Sequence, residues 1–218
     1  PGRDFQHLLA SSTTAVFAAM AWHDEAMAPN TALRALAAMP AKSVVVLHAC
    51  CHNPTGADLS AAQWKEVVDL VKQCDLVAFI DMAYQGFADG IKPDAIALDL
   101  FAASGLQFVV SSSFSKSFSL YGERVGALTI VTAGKDESAR VLSQVKRVIR
   151  TNYSNPPTHG GAVVAAVLSS PDLRQQWEDE LAGMRERIRA MRNSLVDKLT
   201  AAGATGFEFI KVQRGMFS

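Results

Sequence analysis

Short apolar runs alternate with longer stretches of mixed polarity along the chain. Residues 43–47 and 76–80 are apolar at nearly every position and rich in β-branched side chains. This pattern is typical of strands covered on both faces. Residues 108–110 and 127–131 have the same character. The pattern predicts four buried strands.

Helical periodicity fills the stretches between these strands. Residues 60–74 are predicted to form a helix that begins with Ser60 as its N-cap and carries an apolar stripe with helical spacing. Pro93 and Gly105 are suited to open and close a second helix. Further helices are predicted over residues 136–150 and 161–168. The stripe of the first helix consists of Trp64, Val67, Val68 and Val71. The expected fold is α/β, a mostly parallel sheet sandwiched by helices.

A long helix is predicted from about residue 171 to 200. At 1.5 Å per residue it spans roughly 43 Å, which suggests that it joins two domains, residues 1–183 and 184–218. Four arginines of this helix are expected on its solvated face. They are Arg185, Arg187, Arg189 and Arg192, whereas Leu173, Trp177, Leu181, Met184, Ile188, Met191, Leu195 and Leu199 form an apolar stripe expected in the core.

Composition excludes several classes of protein. Lys plus Arg and Asp plus Glu each number 21 among 218 residues, so there is no overall positive charge to attract nucleic acid or an acidic membrane. No apolar run reaches transmembrane length. Three cysteines in a chain of this size predict a reducing, cytoplasmic compartment. The start at Pro1 and the abrupt end at Ser218 suggest a piece of a longer protein.

Reactive side chains follow the predicted strands. Asn53 comes after the first, Asp81 ends the second, and Ser113 and Lys116 follow the third. Ligands of such sheets bind beyond the C-terminal strand ends, so these residues are expected to lie together. A lysine partly withdrawn from water, with Arg124 eight positions later, is suited to Schiff-base chemistry.

Each of these residues also has an ordinary explanation. Lys116 could be a loop lysine, and Asp81 could cap a helix or form a local salt bridge. Tyr84 could be a packing residue, or its phenol could face the same ligand as Asp81. Asn53-Pro54 could be only a turn, and its peptide bond could be cis or trans.

Taken together, the motifs resemble the class I aminotransferases of the aspartate and aromatic amino acid subgroup. The resemblance runs from about Trp22 to the end of the chain. It is carried by five blocks in the family's order, residues 50–59, 81–87, 113–126, 150–157 and 213–218. It implies the large domain of a fold type I pyridoxal phosphate enzyme over residues 1–183, followed by the start of a smaller α/β domain.

The resemblance also implies roles around pyridoxal 5'-phosphate. Lys116 would hold the cofactor as a Schiff base and then transfer the substrate's proton. Asp81 would keep the pyridine nitrogen protonated. Asn53 and Tyr84 would hydrogen-bond the ring oxygen, and Asn53 would also lie at the substrate. The expected reaction is a ping-pong transfer of an amino group between aspartate or an aromatic amino acid and 2-oxoglutarate.

The remaining implied contacts are ionic. Ser113 and Arg124 would bind the cofactor phosphate, in keeping with the bidentate match between guanidinium and phosphate. Arg150 would reach into a partner subunit's site and bind the substrate's distal carboxylate, which implies a homodimer. Without the resemblance, Arg150 is simply a cation near a helix C-terminus.

Three expected parts of the family pattern are absent. An N-terminal portion would supply a glycine-containing phosphate loop and an aromatic residue that stacks on the pyridine ring, and residues 1–19 do not show that segment. A portion beyond Ser218 would supply the arginine for the α-carboxylate. A non-catalytic fragment is therefore the main alternative function.

Two other chemistries are weaker alternatives. Ser113 and Lys116 form an S-x-x-K pattern, but the companion motifs of the serine acyl-enzymes do not occur in the chain. His48, Cys50, Cys51 and His52 offer zinc ligands, but adjacent ligands cannot easily all face one ion, and no second ligand pair follows.

Overall fold

The computed structural model describes residues 31–216. Four strands form one sheet in the order β1 (Val44–His48), β2 (Val77–Met82), β3 (Phe108–Ser113) and β4 (Gly126–Val131). The first three are parallel, and β4 pairs with β3 in the antiparallel direction. The predicted mostly parallel sheet is confirmed.

Within residues 31–216, eight helical elements connect and extend these strands. Helix α1 spans Thr31–Ala37, α2 Ala61–Gln73, α3 Ile96–Ser104, α4 Lys135–Asn152, α5 His159–Ser169 and α6 Pro171–Ala201; short 3-10 helices cover Pro93–Ala95 and Glu208–Val212. The second predicted helix therefore begins as a 3-10 turn at Pro93. It ends at Gly105, whose φ of +74° is the left-handed conformation that glycine adopts without strain.

Local sequence accounts for α2 in detail. The Ser60 hydroxyl accepts from the Gln63 N–H at 3.3 Å, and the Gln63 side chain accepts from the Ser60 N–H at 2.8 Å. This reciprocal pair is a capping box. The predicted stripe of Trp64, Val67, Val68 and Val71 is buried, as expected.

The core lies around β1, β2 and β3. Residues of alternate register on these strands are buried, including Val45, Ile80 and Val110. Helix α2 packs beside α1 and α3, and α6 packs beside α5 and the last 3-10 helix. None of the described helices is both long and apolar enough to span a membrane.

Helix α6 has 31 residues, about 46 Å, close to the predicted length. Its apolar stripe is only partly in the core. Leu181 is buried, and Trp177 and Ile188 pack against the core. The prediction is wrong for four members of the stripe, which are 38% to 53% exposed: Leu173, Met184, Met191 and Leu195.

Candidate active site

Asp81 lies near the C-terminal edge of the sheet between two polar neighbours. It pairs in register with His48 on β1 and Ser111 on β3. The Ser111 hydroxyl donates to Asp81 Oδ1 at 3.2 Å, and His48 Nε2 is 3.9 Å from Oδ2. The Asp81 side chain remains 37% exposed, so the carboxylate is oriented by its neighbours yet accessible to a ligand.

The turn after β1 is tied to this carboxylate through His48. The Asn53 N–H donates to His48 Nδ1 at 3.2 Å. Because Nδ1 accepts, a neutral His48 carries its proton on Nε2, the nitrogen nearer Asp81. The Asn53-Pro54 bond is cis, which answers the question that the sequence left open. His48 was considered from sequence only as a metal ligand. Its place beside Asp81 follows from strand register.

Asp58 holds the preceding loop in place. Its two carboxylate oxygens accept from the backbone N–H groups of Cys51 at 2.7 Å and His52 at 2.9 Å. Burial raises the pKa of Asp58, although these two hydrogen bonds and the nearby Arg214 act in the opposite direction.

Tyr84 and Lys116 lie against each other at the same edge of the sheet. Lys116 Nζ is 4.7 Å from the centroid of the Tyr84 ring, a cation–π distance. Burial raises the pKa of the Tyr84 phenol; a hydrogen bond with the Asn53 side chain lowers it, and the charge of Asp81 raises it. The phenol is therefore a neutral hydrogen-bond donor. These interactions link Asn53, Tyr84, Lys116 and Asp81 in one cluster.

Ser113 lies at the end of β3, and Arg124 lies in the turn just before β4. Ser113 is the last residue of β3 and pairs with Gly126, two residues beyond Arg124. The Ser113 hydroxyl accepts from the Ser115 N–H at 3.3 Å. Arg124 has a φ of +52°, and its exposed guanidinium donates to the Tyr121 carbonyl at 3.0 Å. No hydrogen bond among residues 31–216 joins Arg124 to Ser113.

Arg150 is not part of this cluster. It is exposed in the last turn of α4, where its guanidinium donates to the Ser154 hydroxyl. Its contact with a partner subunit stays a prediction.

Asp94 anchors the loop that follows Tyr84, and sequence reasoning missed it. This carboxylate is only 4% exposed. Oδ2 accepts from the N–H groups of Gly86 and Ala88, and Oδ1 accepts from those of Asp89 and Gly90. The two glycines before Pro93-Asp94 were the available sequence signal for a tight loop around an acceptor.

Helix α6 and the last described residues close the other side of the Asn53 turn. The prediction of a solvated arginine face is wrong for Arg192, which is 7% exposed. Its guanidinium donates to the carbonyls of Gln213 at 2.8 Å and Gly215 at 2.6 Å, so its burial is compensated by carbonyl dipoles. The Gln213 amide in turn donates to the Thr55 carbonyl at 2.8 Å.

The geometry does not support the zinc alternative. In the described part of the chain, the one group of possible ligands joins Cys50 and Cys51 with Asp94, and neither His48 nor His52 belongs to it. The hydrogen bond between the Cys50 and Cys51 side chains, together with burial, raises the pKa of the Cys50 thiol well above its usual value, which disfavours the thiolate that binds metal. The two carboxylate oxygens of Asp94 already accept hydrogen bonds from four backbone N–H groups.

Comparison with known proteins identifies the family. The model of "Aminotransferase class I and II" matches residues 9–218. The chain belongs to this family. The match begins upstream of Trp22, so the resemblance extends further towards the N-terminus than the motifs indicated. Residues 1–30, where the stacking aromatic was expected, lie outside the described residues.

Relatives within this family are similar over most of the chain. It is 66% identical to an aspartate aminotransferase of Pseudomonas aeruginosa over 187 residues, covering 85% of this chain and 47% of the relative. It is 48% identical to an aromatic-amino-acid aminotransferase of Escherichia coli, covering 90% and 51%. The chain thus spans about half the length of the curated relatives that it matches.

Solved structures agree with the predicted fold. A Burkholderia pseudomallei aromatic-amino-acid aminotransferase covalently bound to pyridoxal phosphate aligns with a TM-score of 0.83 at 66% identity, covering 84% of this chain and 46% of that one. An aromatic amino acid aminotransferase of Burkholderia cenocepacia aligns with a TM-score of 0.85 at 48% identity, covering 89% and 49%. The fold type I assignment is confirmed.

Proposed function

We propose that this protein is a pyridoxal phosphate-dependent aminotransferase acting on aspartate or an aromatic amino acid with 2-oxoglutarate. The observation that carries the proposal is the cluster of Asn53, Asp81, Tyr84 and Lys116 at one edge of the sheet. Membership of the aminotransferase family and the names of its similar relatives support the same reaction class.

The residues present fit this cofactor chemically. Lys116 supplies a primary amine that condenses with an aldehyde with loss of water. Asp81 supplies an accessible carboxylate held by Ser111 beside His48. Ser113 and Arg124 supply a hydroxyl and a guanidinium, which suit a phosphate. When bound, pyridoxal phosphate supplies a ring that stabilises the negative charge developing at the substrate Cα.

Each side chain then has a definite task. Asp81 holds a proton on the pyridine nitrogen, and His48 and Ser111 fix the direction of its carboxylate. The neutral Tyr84 phenol and the Asn53 amide donate to the ring oxygen. Lys116 Nζ would hold the cofactor and, when released by the substrate amine, would move the proton between the substrate Cα and C4′ of the cofactor. Because the amino group would stay on the cofactor after the first oxo acid has left and before the second binds, the expected kinetics are ping-pong.

The proposed dimer and the preference for a dicarboxylate substrate both depend on Arg150. Its exposure at the end of α4 leaves the guanidinium able to reach a second chain. We propose a homodimer in which Arg150 of each subunit binds the distal carboxylate of the substrate in the partner's site. Three free cysteines support a cytoplasmic location.

The domain division also remains a proposal. Residues 1–183 would form part of the large cofactor-binding domain, and residues 184–218 the start of the small domain, with α6 running from one into the other. The long α6 helix supports this division, because none of its described residues after Ile188 belongs to the central hydrophobic core or packs against it.

A non-catalytic fragment is the second candidate, and one observation favours it. Leu128 on β4 and Leu142 and Val148 on α4 are all more than half exposed. A chain that spans half of its relatives would leave such apolar surface uncovered.

The test is an absorbance titration with pyridoxal phosphate, followed by borohydride reduction and peptide mass spectrometry. We expect a Schiff-base band in the parent protein and in Lys65→Ala, whose lysine is exposed on α2, with the label on Lys116. Lys116→Ala should lack the band. An equal band in Lys116→Ala would show that the assignment of Lys116 is wrong. Absence of the band from every protein would favour the fragment.

Catalysis is tested separately by half-transamination with aspartate, glutamate, tyrosine and phenylalanine. Arg150→Ala should raise KM for the two dicarboxylates far more than for the two aromatic substrates. An equal effect on all four substrates would exclude Arg150 as the group that binds the distal carboxylate.

A further inference from the structure

A cavity of about 220 Å³ lies away from the cluster around Lys116. Its walls are the loop Phe87–Asp89, one face of α6 and the segment Lys211–Arg214. None of the residues proposed to bind the cofactor lines it. We call this space the basic cavity.

The lining is strongly cationic. Among the described residues it contributes five positive side chains, Arg185, Arg189, Arg192, Lys211 and Arg214, and one carboxylate, Asp89. Two carboxylates outside the lining reach its cations, Glu186 at 3.0 Å from Arg189 and Asp197 at 2.7 Å from Lys211. Counting these, the cavity keeps an excess of two positive charges.

Backbone carbonyls orient the arginines from one side. Arg185 Nη1 donates to the Gly86 carbonyl at 2.8 Å, and Arg189 Nη2 to the Ala88 carbonyl at 3.3 Å. A guanidinium carries five N–H donors, so Arg185, and Arg189 even with its further contact to Glu186, keep donors for oxygen atoms of a ligand. Arginines fixed in this way lose little further side-chain entropy when an anion binds.

The walls come from both proposed domains. Phe87–Asp89 belongs to the proposed large domain, and α6 from Arg185 onward and Lys211–Arg214 belong to the proposed small one. At present Asp89 joins them through Arg214 at 2.8 Å and Arg189 at 3.6 Å. An anion in the cavity would add contacts across the same boundary.

We propose that the basic cavity binds a small multivalent oxyanion, of the phosphate or dicarboxylate class, and that the bound anion holds the loop Phe87–Asp89 to α6. The volume is below the roughly 300–1,000 Å³ typical of sites for drug-sized molecules, which favours a small ion. Planar guanidinium groups recognise both classes through paired N–H···O contacts.

The experiment is a thermal-shift and calorimetric titration with inorganic phosphate, succinate and chloride at constant ionic strength. Constant ionic strength is needed because salt screens exposed charges. The parent protein is compared with Arg189→Gln, whose side chain lines the cavity and is 48% exposed. Arg187→Gln is the matched control, because Arg187 is exposed on the same helix and does not line the cavity.

We expect phosphate or succinate, but not chloride, to raise the melting temperature of the parent and of Arg187→Gln. Arg189→Gln should bind about tenfold more weakly, the loss of one charge-assisted hydrogen bond. A response to one anion only identifies its class. Should Arg189→Gln prove unfolded, Lys211→Gln replaces it, since Lys211 is also half-exposed.

Two results would overturn the proposal. One is the absence of any anion-specific shift at millimolar phosphate or succinate. The other is a shift that is equal in Arg189→Gln and Arg187→Gln, because the anion would then bind elsewhere, for instance at Ser113 and Arg124.

Discussion

Replacing Asp94 with alanine is expected to be among the most destabilising single changes in this chain. The Asp94 carboxylate accepts from Gly86 and Ala88 at 2.7 and 3.1 Å, and from Asp89 and Gly90 at 2.8 and 3.2 Å. The first two hydrogen bonds are buried, and the other two are partly buried. Removal of the carboxylate leaves all four N–H groups without their acceptor.

The magnitude follows from which donors can reach water. The Asp89 and Gly90 N–H groups can rehydrate, so their loss costs little. Each buried donor left unsatisfied costs about 1–3 kcal/mol, so the two at Gly86 and Ala88 together give about 4 kcal/mol. Asp94→Asn keeps one acceptor oxygen and should cost about half as much, about 2 kcal/mol.

The assay is urea unfolding followed by circular dichroism, with the slope of free energy against urea checked in each protein. Asp69→Ala is the control, since Asp69 is an exposed carboxylate on α2. We expect the order parent, Asp69→Ala, Asp94→Asn, Asp94→Ala from most to least stable. If Asp94→Ala were no less stable than Asp69→Ala, the loop would not depend on this carboxylate.

Two further predictions concern the neighbourhood of Cys51. Gly215→Ala should lower the free energy of unfolding by about 2–4 kcal/mol, because φ is +75° and a Cβ would lie 2.5 Å from Cys51 Cβ. Gly203→Ala is the control in the same urea assay, because Gly203 has a φ of +81° but open space around its Cα, so only the backbone strain is measured. An equal loss of stability in the two variants would show that the contact with Cys51 costs nothing. Asp58, whose pKa burial raises, should favour the folded state most below its usual value of 3.8, with that contribution lost as pH rises through the raised pKa. Asp58→Asn should therefore remove the part of the loss of melting temperature that Asp58 causes as pH rises through this range. An unchanged dependence of melting temperature on pH would contradict this prediction.

The strands and α2 could be predicted from sequence because their signals are local. An apolar run of five residues or a Ser60–Gln63 capping box requires no knowledge of distant neighbours. The exposed part of the α6 stripe was mispredicted for the opposite reason. Helical spacing shows that Met191 and Leu195 share a face, but it does not show what covers that face.

The central cluster was predictable because parallel strands bring their C-terminal ends to one edge. Asn53 and Lys116 follow β1 and β3, and Asp81 is the last residue but one of β2, so topology alone predicts that they lie near one another. His48 was missed as the neighbour of Asp81 because pairing of these two residues depends on register, which the sequence pattern does not specify to one residue.

The contacts that the sequence could not predict are those between distant segments. Gln213 and Thr55 are 158 residues apart, yet the Gln213 amide donates to the Thr55 carbonyl. This approach requires Gly56, since a Cβ there would lie 2.9 Å from the Gln213 side chain. Arg192 then fixes Gln213 to α6. The turn that carries Asn53 is thus joined through two hydrogen bonds to the helix that leads into the proposed small domain. A shift of the C-terminal part of α6 relative to the sheet must therefore either break these bonds or move the Asn53 turn. This pair of hydrogen bonds is thus one route by which the small domain would affect the site.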